Sequence, residues 1–238
     1  MSPFFSVAAL ELAHSGTQAV IHERMKADVI AIIDYGEGNL GSVEKALKHV
    51  GCEVQITSSP AALEQADGVV LPGVGAFDDC IKGLEKSGLV EPIKQIIAGG
   101  KPFLGICLGL QVLFASSEEG EKAGLGVLPG RVVRFRHELK IPQIGWNQIT
   151  KVQDAPHLED IESGSWVYFV HSYYIEPEDE SIIATTTEYG IEFCSSVWRD
   201  NLFACQFHPE KSQAAGLKIL DNFRKLAVEI SESDRYAG

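Results

Sequence analysis

Apolar and polar positions change rhythm twice along this chain. From Val29 to Ile33 every residue is apolar, as in a strand buried on both faces. Val43, Ala46, Leu47 and Val50 then recur at helical spacing, with Ser42 as the expected cap and Gly51 as the stop. Val54–Thr57 and Gly68–Leu71 read as further strands. Leu89, Ile93, Ile96 and Ile97 stripe a second helix, which Gly99-Gly100 closes. A short apolar run at Phe103–Cys107 follows. Beyond Pro129 the texture turns β-rich, with strands expected at Arg131–Phe135, Trp166–His171, Ile182–Thr187, Phe193–Trp198 and Leu202–Phe207. A last helix carries Leu217, Leu220, Phe223 and Ala227 on one face. Strands alternating with helices predict a single α/β domain, three layers around a mainly parallel central sheet.

Residues 1–26 stand outside this alternation. Phe4 to Leu12 is apolar, but no basic residue precedes it and Glu11 interrupts it, which is not a signal-peptide pattern. The expectation is a dispensable or disordered extension before a domain at 27–238. A short docked helix is the alternative, since Phe5, Ala8, Ala9 and Leu12 share a face.

The chemistry concentrates at Gly105-Ile106-Cys107-Leu108-Gly109, a Gly-x-Cys-x-Gly turn between an apolar strand and a helix. Such an elbow strains its central residue and lets strand and helix approach where a Cβ would clash. Cys107 at the start of a helix would meet unpaired amides that favour the thiolate. A base is offered by His208-Pro209-Glu210 at the end of the Leu202–Phe207 run. In an extended segment His208 and Glu210 point the same way, so Glu210 can hold one imidazole nitrogen while the other faces the thiol. Alone, an apolar-run cysteine is ordinarily a small buried hydrophobe, and a histidine before proline a surface residue. The two motifs together point to a Cys107, His208, Glu210 triad.

Those motifs resemble the triad glutamine amidotransferases. Asp34-Tyr35-Gly36-Glu37-Gly38-Asn39, Pro72-Gly73-Val74-Gly75, Ile144-Gly145-Trp146-Asn147 and Tyr168-Phe169-Val170-His171-Ser172-Tyr173 narrow the similarity to glutaminase subunits of imidazole glycerol phosphate synthases. The resemblance implies a flavodoxin-like fold and hydrolysis of the L-glutamine side-chain amide. It also implies a separate (βα)₈-barrel cyclase that uses the ammonia in histidine biosynthesis. It assigns the oxyanion and glutamine contacts to Gly73, Val74, Gly75, Leu108, Gln111, Ser172 and Tyr173. It makes Asn39, Trp146, Asn147 and Lys211 candidates for the partner interface. Gly73 is expected to let its peptide plane turn either way. One departure stands out: Gln143 lies where the family commonly has His.

Three other readings remain open. One is the amidotransferase subunit of another pathway, such as anthranilate or purine synthesis. The others are a stand-alone Cys hydrolase and a catalytically silent binding subunit. The G-x-G-x-x-G at Gly36–Gly41 imitates a dinucleotide fingerprint, but the second strand ends Thr57-Ser58-Ser59, with no acid for a ribose. No cofactor and no metal are expected. A net charge of −13 argues against nucleic acid and anionic membranes as partners. No apolar run approaches membrane-spanning length, and five scattered cysteines suit a reducing cytoplasm.

Overall fold

The computed structural model describes residues 29–236. The expectations for residues 1–26, and for a domain that starts at 27, lie outside that span. The first half runs β1 (Val29–Ile33), α1 (Leu40–His49), β2 (Glu53–Thr57), α2 (Pro60–Gln65), β3 (Gly68–Gly73), α3 (Phe77–Lys86), α4 (Val90–Ala98), β4 (Phe103–Cys107) and α5 (Leu108–Gln111). The second half adds β5 (Ser116–Ser117), β6 (Gly130–Arg134), β7 (Gln143–Gln148), β8 (Thr150–Lys151), β9 (Trp166–His171), β10 (Tyr173–Pro177), β11 (Ile183–Glu188), β12 (Glu192–Arg199), β13 (Leu202–Cys205) and α6 (Gln213–Tyr236).

The main sheet has the order β2-β1-β3-β4-β13-β12-β10-β6-β5. Its centre, β2 through β13, is parallel, and β12, β10 and β6 continue it antiparallel. Alternation along β1 shows why this sheet needs helices on both faces. Ala31 and Ile33 join a core with Leu63 of α2, Phe77 and Leu84 of α3 and Ile93 of α4. Ile30 and Ile32 point the other way, to Leu47 of α1 and Leu220 and Phe223 of α6. Burying both faces removes each strand's apolar side chains from water and pairs its backbone within the sheet. β7 and β9 form a separate antiparallel ribbon. Among the described residues no helix is long and apolar enough to cross a membrane.

The structure departs from the sequence reading in places. Ser42 is not a cap: α1 begins two residues earlier, after Asn39, so Ser42 lies inside its first turn. β13 stops at Cys205 rather than Phe207. Helices α2 and α3 and strand β7 carry no expectation in the sequence reading. α2 has only six residues, and β7 alternates around a glycine and two exposed large apolar residues, Ile144 and Trp146.

Candidate active site

The carboxyl ends of β3, β4 and β13 come together at one edge of the parallel sheet, where open α/β folds place their ligands. Register brings Gly73 opposite Cys107, and Ile106 opposite Cys205. Cys107 has φ 55° and ψ −107°, the strained elbow expected from its flanking glycines. Such a conformation costs roughly 1–3 kcal/mol and holds only because the surroundings dictate it. Gly109 shows how tightly: a Cβ there would stand 1.9 Å from the Leu71 carbonyl oxygen. The same packing explains Gly73, whose Cβ would meet the Leu108 Cβ at 2.7 Å. Gly73 is required for close approach, and its φ is not in the left-handed region; that conformation belongs to Gly75, at φ 97°. The helix after the elbow is one turn, four residues, so local amides act on the sulfur rather than a long helix dipole.

His208 sits just beyond β13. Its Nδ1 lies 2.8 Å from Glu210 Oε1, and the two side chains are 3% and 2% exposed. The route to this pair differs from the expected extended one. Pro209 opens a single 3₁₀ turn, Pro209–Lys211, which folds Glu210 back under the imidazole. His208 Nε2 is buried with no hydrogen-bond partner of its own among the described residues. Burial alone would lower the His208 pKa, but the Cys107 sulfur and the Glu210 carboxylate outweigh it and push it up to about 9. His208 is therefore protonated at neutral pH, beside the Cys107 sulfur.

A cleft of about 450 Å³ opens over these groups, lined by Val74, Gly75, Cys107, Leu108, Gln111, Ser172, Tyr173, His208 and Lys211 of the expected residues. Gln111, one turn beyond Cys107, donates from Nε2 to the Tyr173 carbonyl at 3.1 Å. The Cys107 thiol lies 3.9 Å from the Val170 carbonyl. Leu108 opens the short helix, so its amide, next to the sulfur in the chain, has no partner within that helix. Val74 lines the cleft beside Gly75. Burial, Cys80 and Glu37 push the Tyr35 phenol pKa up.

Three residues of the site were not singled out in the sequence. Glu119 lines the cleft, and its pKa is raised by burial while the Phe77 amide, 2.9 Å from Oε2, counters. His171 is buried between the Tyr173 carbonyl at 2.8 Å and the Gln143 side chain at 3.0 Å. Burial lowers its pKa to about 4, so it is neutral and can donate only once. Gln206 reaches Cys107 itself. None of the three has a local signature: a carboxylate in an acidic turn and polar residues at strand ends are ordinary.

The four interface candidates are dispersed. Trp146 is exposed on β7, edge-on to Tyr168 of β9 at 6.0 Å, and Lys211 lies 5.9 Å above that same Tyr168 ring. Asn147 faces the other way and donates to the Glu188 carbonyl at 2.8 Å, so it ties the ribbon to β11. Asn39 is exposed ahead of α1, away from the cleft lining.

An elbow cysteine, a buried His–Glu pair and an amide-lined cleft on a doubly covered parallel sheet define a triad-type thiol hydrolase. Residues 31–226 match the model of the class-I glutamine amidotransferase family. The imidazole glycerol phosphate synthase subunit HisH of Syntrophotalea carbinolica is 55% identical, covering 82% of this chain and 98% of its own. The HisH subunit of Geobacter sulfurreducens is 53% identical, covering 83% and 98%. In fold the chain is similar to a glutamine amidotransferase from Thermotoga maritima, with TM-score 0.61 and 19% identity over 86% of this chain and 98% of that one. The chain belongs to the class-I glutamine amidotransferase family, and within it to the imidazole glycerol phosphate synthase HisH subunits.

Proposed function

We propose that this protein is the glutaminase half of an imidazole glycerol phosphate synthase, hydrolysing L-glutamine and passing ammonia to a separate cyclase. The observation that carries the chemistry is the His208–Glu210 pair, buried beside the elbow sulfur. The glutamine head group would lie toward Ser172, Tyr173, Gln111 and Glu119, with the Glu119 carboxylate facing the α-ammonium. The δ-amide would then stand over Cys107. The thiolate attacks the δ-carbon, and the Leu108 amide supports the oxyanion that forms. Collapse breaks the C–N bond, His208 gives its proton to the departing nitrogen, and ammonia leaves a thioester. His208, now neutral, takes a proton from water, whose oxygen attacks the thioester and releases glutamate and the thiolate. Glu210 keeps the imidazole oriented through both steps.

The partner on this reading is a (βα)₈-barrel cyclase making imidazole glycerol phosphate and an aminoimidazole carboxamide ribotide in the cytoplasm. The outer face of the β7–β9 ribbon suits such a partner. Ile144, Trp146 and Trp166 are exposed there beside the cleft mouth, with Lys211 at its rim. The amidotransferase domain is residues 27–238, with 1–26 outside it. On this reading the Val74 amide is the second oxyanion donor, and a bound partner turns it inward. One missing donor is worth about 10²–10³ in rate.

The test assays Cys107→Ala in the assembled enzyme with glutamine and, separately, with ammonia. Glutamine-dependent synthesis should vanish while ammonia-dependent synthesis remains, and residual glutamine turnover would overturn the assignment. Glutaminase rates for the wild-type chain alone, with partner, and with partner plus cyclase substrate should rise in that order. Equal rates would remove the switch.

A further inference from the structure

Gln206 is fully buried one residue beyond β13, and its backbone N–H donates to the Ser195 carbonyl at 2.8 Å. Its side chain spans two parts of the site. Nε2 lies 3.6 Å from the Cys107 sulfur, and Oε1 lies 3.0 Å from Gln111 Nε2.

An amide can in principle be turned end for end, so its polarity needs an argument. Here a backbone carbonyl supplies one. The Tyr173 oxygen is a fixed acceptor, and it also takes the His171 Nδ1 proton. Gln111 must therefore present its NH₂ group to Tyr173, at 3.1 Å. That group has two protons, and the second faces Gln206. An acceptor is needed there, so Gln206 must place its oxygen toward Gln111 and its NH₂ toward the sulfur. The order of donors runs one way, from Gln111 through Gln206 to Cys107, without a free choice at any step.

We propose that Gln206 is a positioning residue for the nucleophile: its amide N–H holds the Cys107 sulfur as a thiolate and aims it at the cleft. A sulfur anion accepts such a bond more strongly than a thiol does, because hydrogen bonds to charged groups are the stronger ones. In a buried setting the donor stabilises the reactive form without adding charge, so it does not compete with His208 for the role of base. Gln111 lines the head-group end of the cleft, so the relay also ties the nucleophile to the part of the site that holds substrate.

The proposal rests on Cys107 being the nucleophile, so its test needs no glutamine. Alkylation of Cys107 by iodoacetamide is followed against pH in the full chain, read from the mass of the elbow peptide. Wild type is compared with Gln206→Met and Gln206→Glu. In Gln206→Met the pH midpoint of alkylation should rise by about one unit or more. In Gln206→Glu it should rise further, because the acceptor for Gln111 is kept but a carboxyl group now faces the sulfur. A residue that only filled space would leave the Gln206→Met midpoint at the wild-type value, because Met keeps the bulk without the donor. Glutamine kinetics with the partner supply a second readout. Gln206→Glu should lower kcat about ten- to a hundredfold with KM little changed, since Gln111 stays tied. If Gln206→Glu does not fold, the Gln206→Met midpoint decides alone. A wild-type midpoint in Gln206→Met, or in a folded Gln206→Glu, overturns the proposal. Glutamine turnover surviving Cys107→Ala would instead overturn the nucleophile assignment.

Discussion

Replacing Glu210 by Gln should move the pH range in which the enzyme works. The perturbation is small in shape and large in charge. Oε1 stands 2.8 Å from His208 Nδ1, and both side chains are almost wholly buried. With the charge centres about 4 Å apart and an effective dielectric of about 20, the pair is worth ~4 kcal/mol at most. At ~1.4 kcal/mol per unit that equals about three pH units. A neutral amide still bonds to Nδ1, and the Cys107 sulfur still supports the imidazolium. The His208 pKa of about 9 should therefore fall by about one to three units. In kcat/KM for glutamine, the alkaline limb reports loss of the imidazolium that protonates ammonia, and it should fall equally. The amide can also present its NH₂ to Nδ1, which puts the imidazole proton on the wrong nitrogen. Maximal turnover should drop about 10²–10⁴-fold for that reason, less than in Cys107→Ala. Stability carries the same signature. A histidine raised from 6.5 to about 9 on folding adds stability that is full below about pH 6.5 and lost as pH climbs through about 9. Thermal melts between about pH 6 and about pH 10 should show that decline in wild type and a flatter curve in the variant. An alkaline limb still near 9 in Glu210→Gln, with an unchanged melting slope, would refute the account of His208.

Gly109→Ala should cost about 3 kcal/mol or more, because its Cβ would meet the Leu71 backbone oxygen, which cannot swing aside; a melting point within about 2 °C of wild type would contradict this. His157 is stacked on Phe203 at 4.5 Å with neither ring nitrogen hydrogen-bonded among the described residues, and burial lowers its pKa to about 3. A pKa depressed on folding removes stability as pH falls below about 6.5, at up to ~1.4 kcal/mol per unit, so His157→Phe should be the more acid-resistant protein. Denaturant titrations at about pH 7 and about pH 4.5 measure this, and an equal loss in both proteins would count against it. Deleting residues 1–24, so that Met25 starts the chain, should leave glutamine turnover intact and the melting midpoint within about 5 °C. A larger drop would mean that the segment packs on the domain.

Much of this site could be read from local sequence because its constraints are local. The elbow needs glycine on either side of Cys107 whatever the rest of the chain does, and the positive φ at Cys107 is there. Gln111 is tied to Cys107 by one helical turn, and His208 to Glu210 by a spacing of two. Even so, the pair forms through a 3₁₀ turn at Pro209 and not through an extended strand. The apolar run of β1 likewise announces a strand buried on both sides, since each face must find its own helices. Tertiary structure decided everything that depends on which strand ends lie side by side. Placing β13 between β4 and β12 sets Gln206 against Cys107, and no spacing in the chain encodes that distance. Glu119 reaches the cleft from a turn after a two-residue strand, and Asn147 is spent on Glu188 of a neighbouring strand rather than left for a partner. Hydrophobic periodicity specifies which face of an element is buried, because burial is non-directional. A polar contact depends on distance and angle between groups far apart in the chain, so only the assembled sheet determines it.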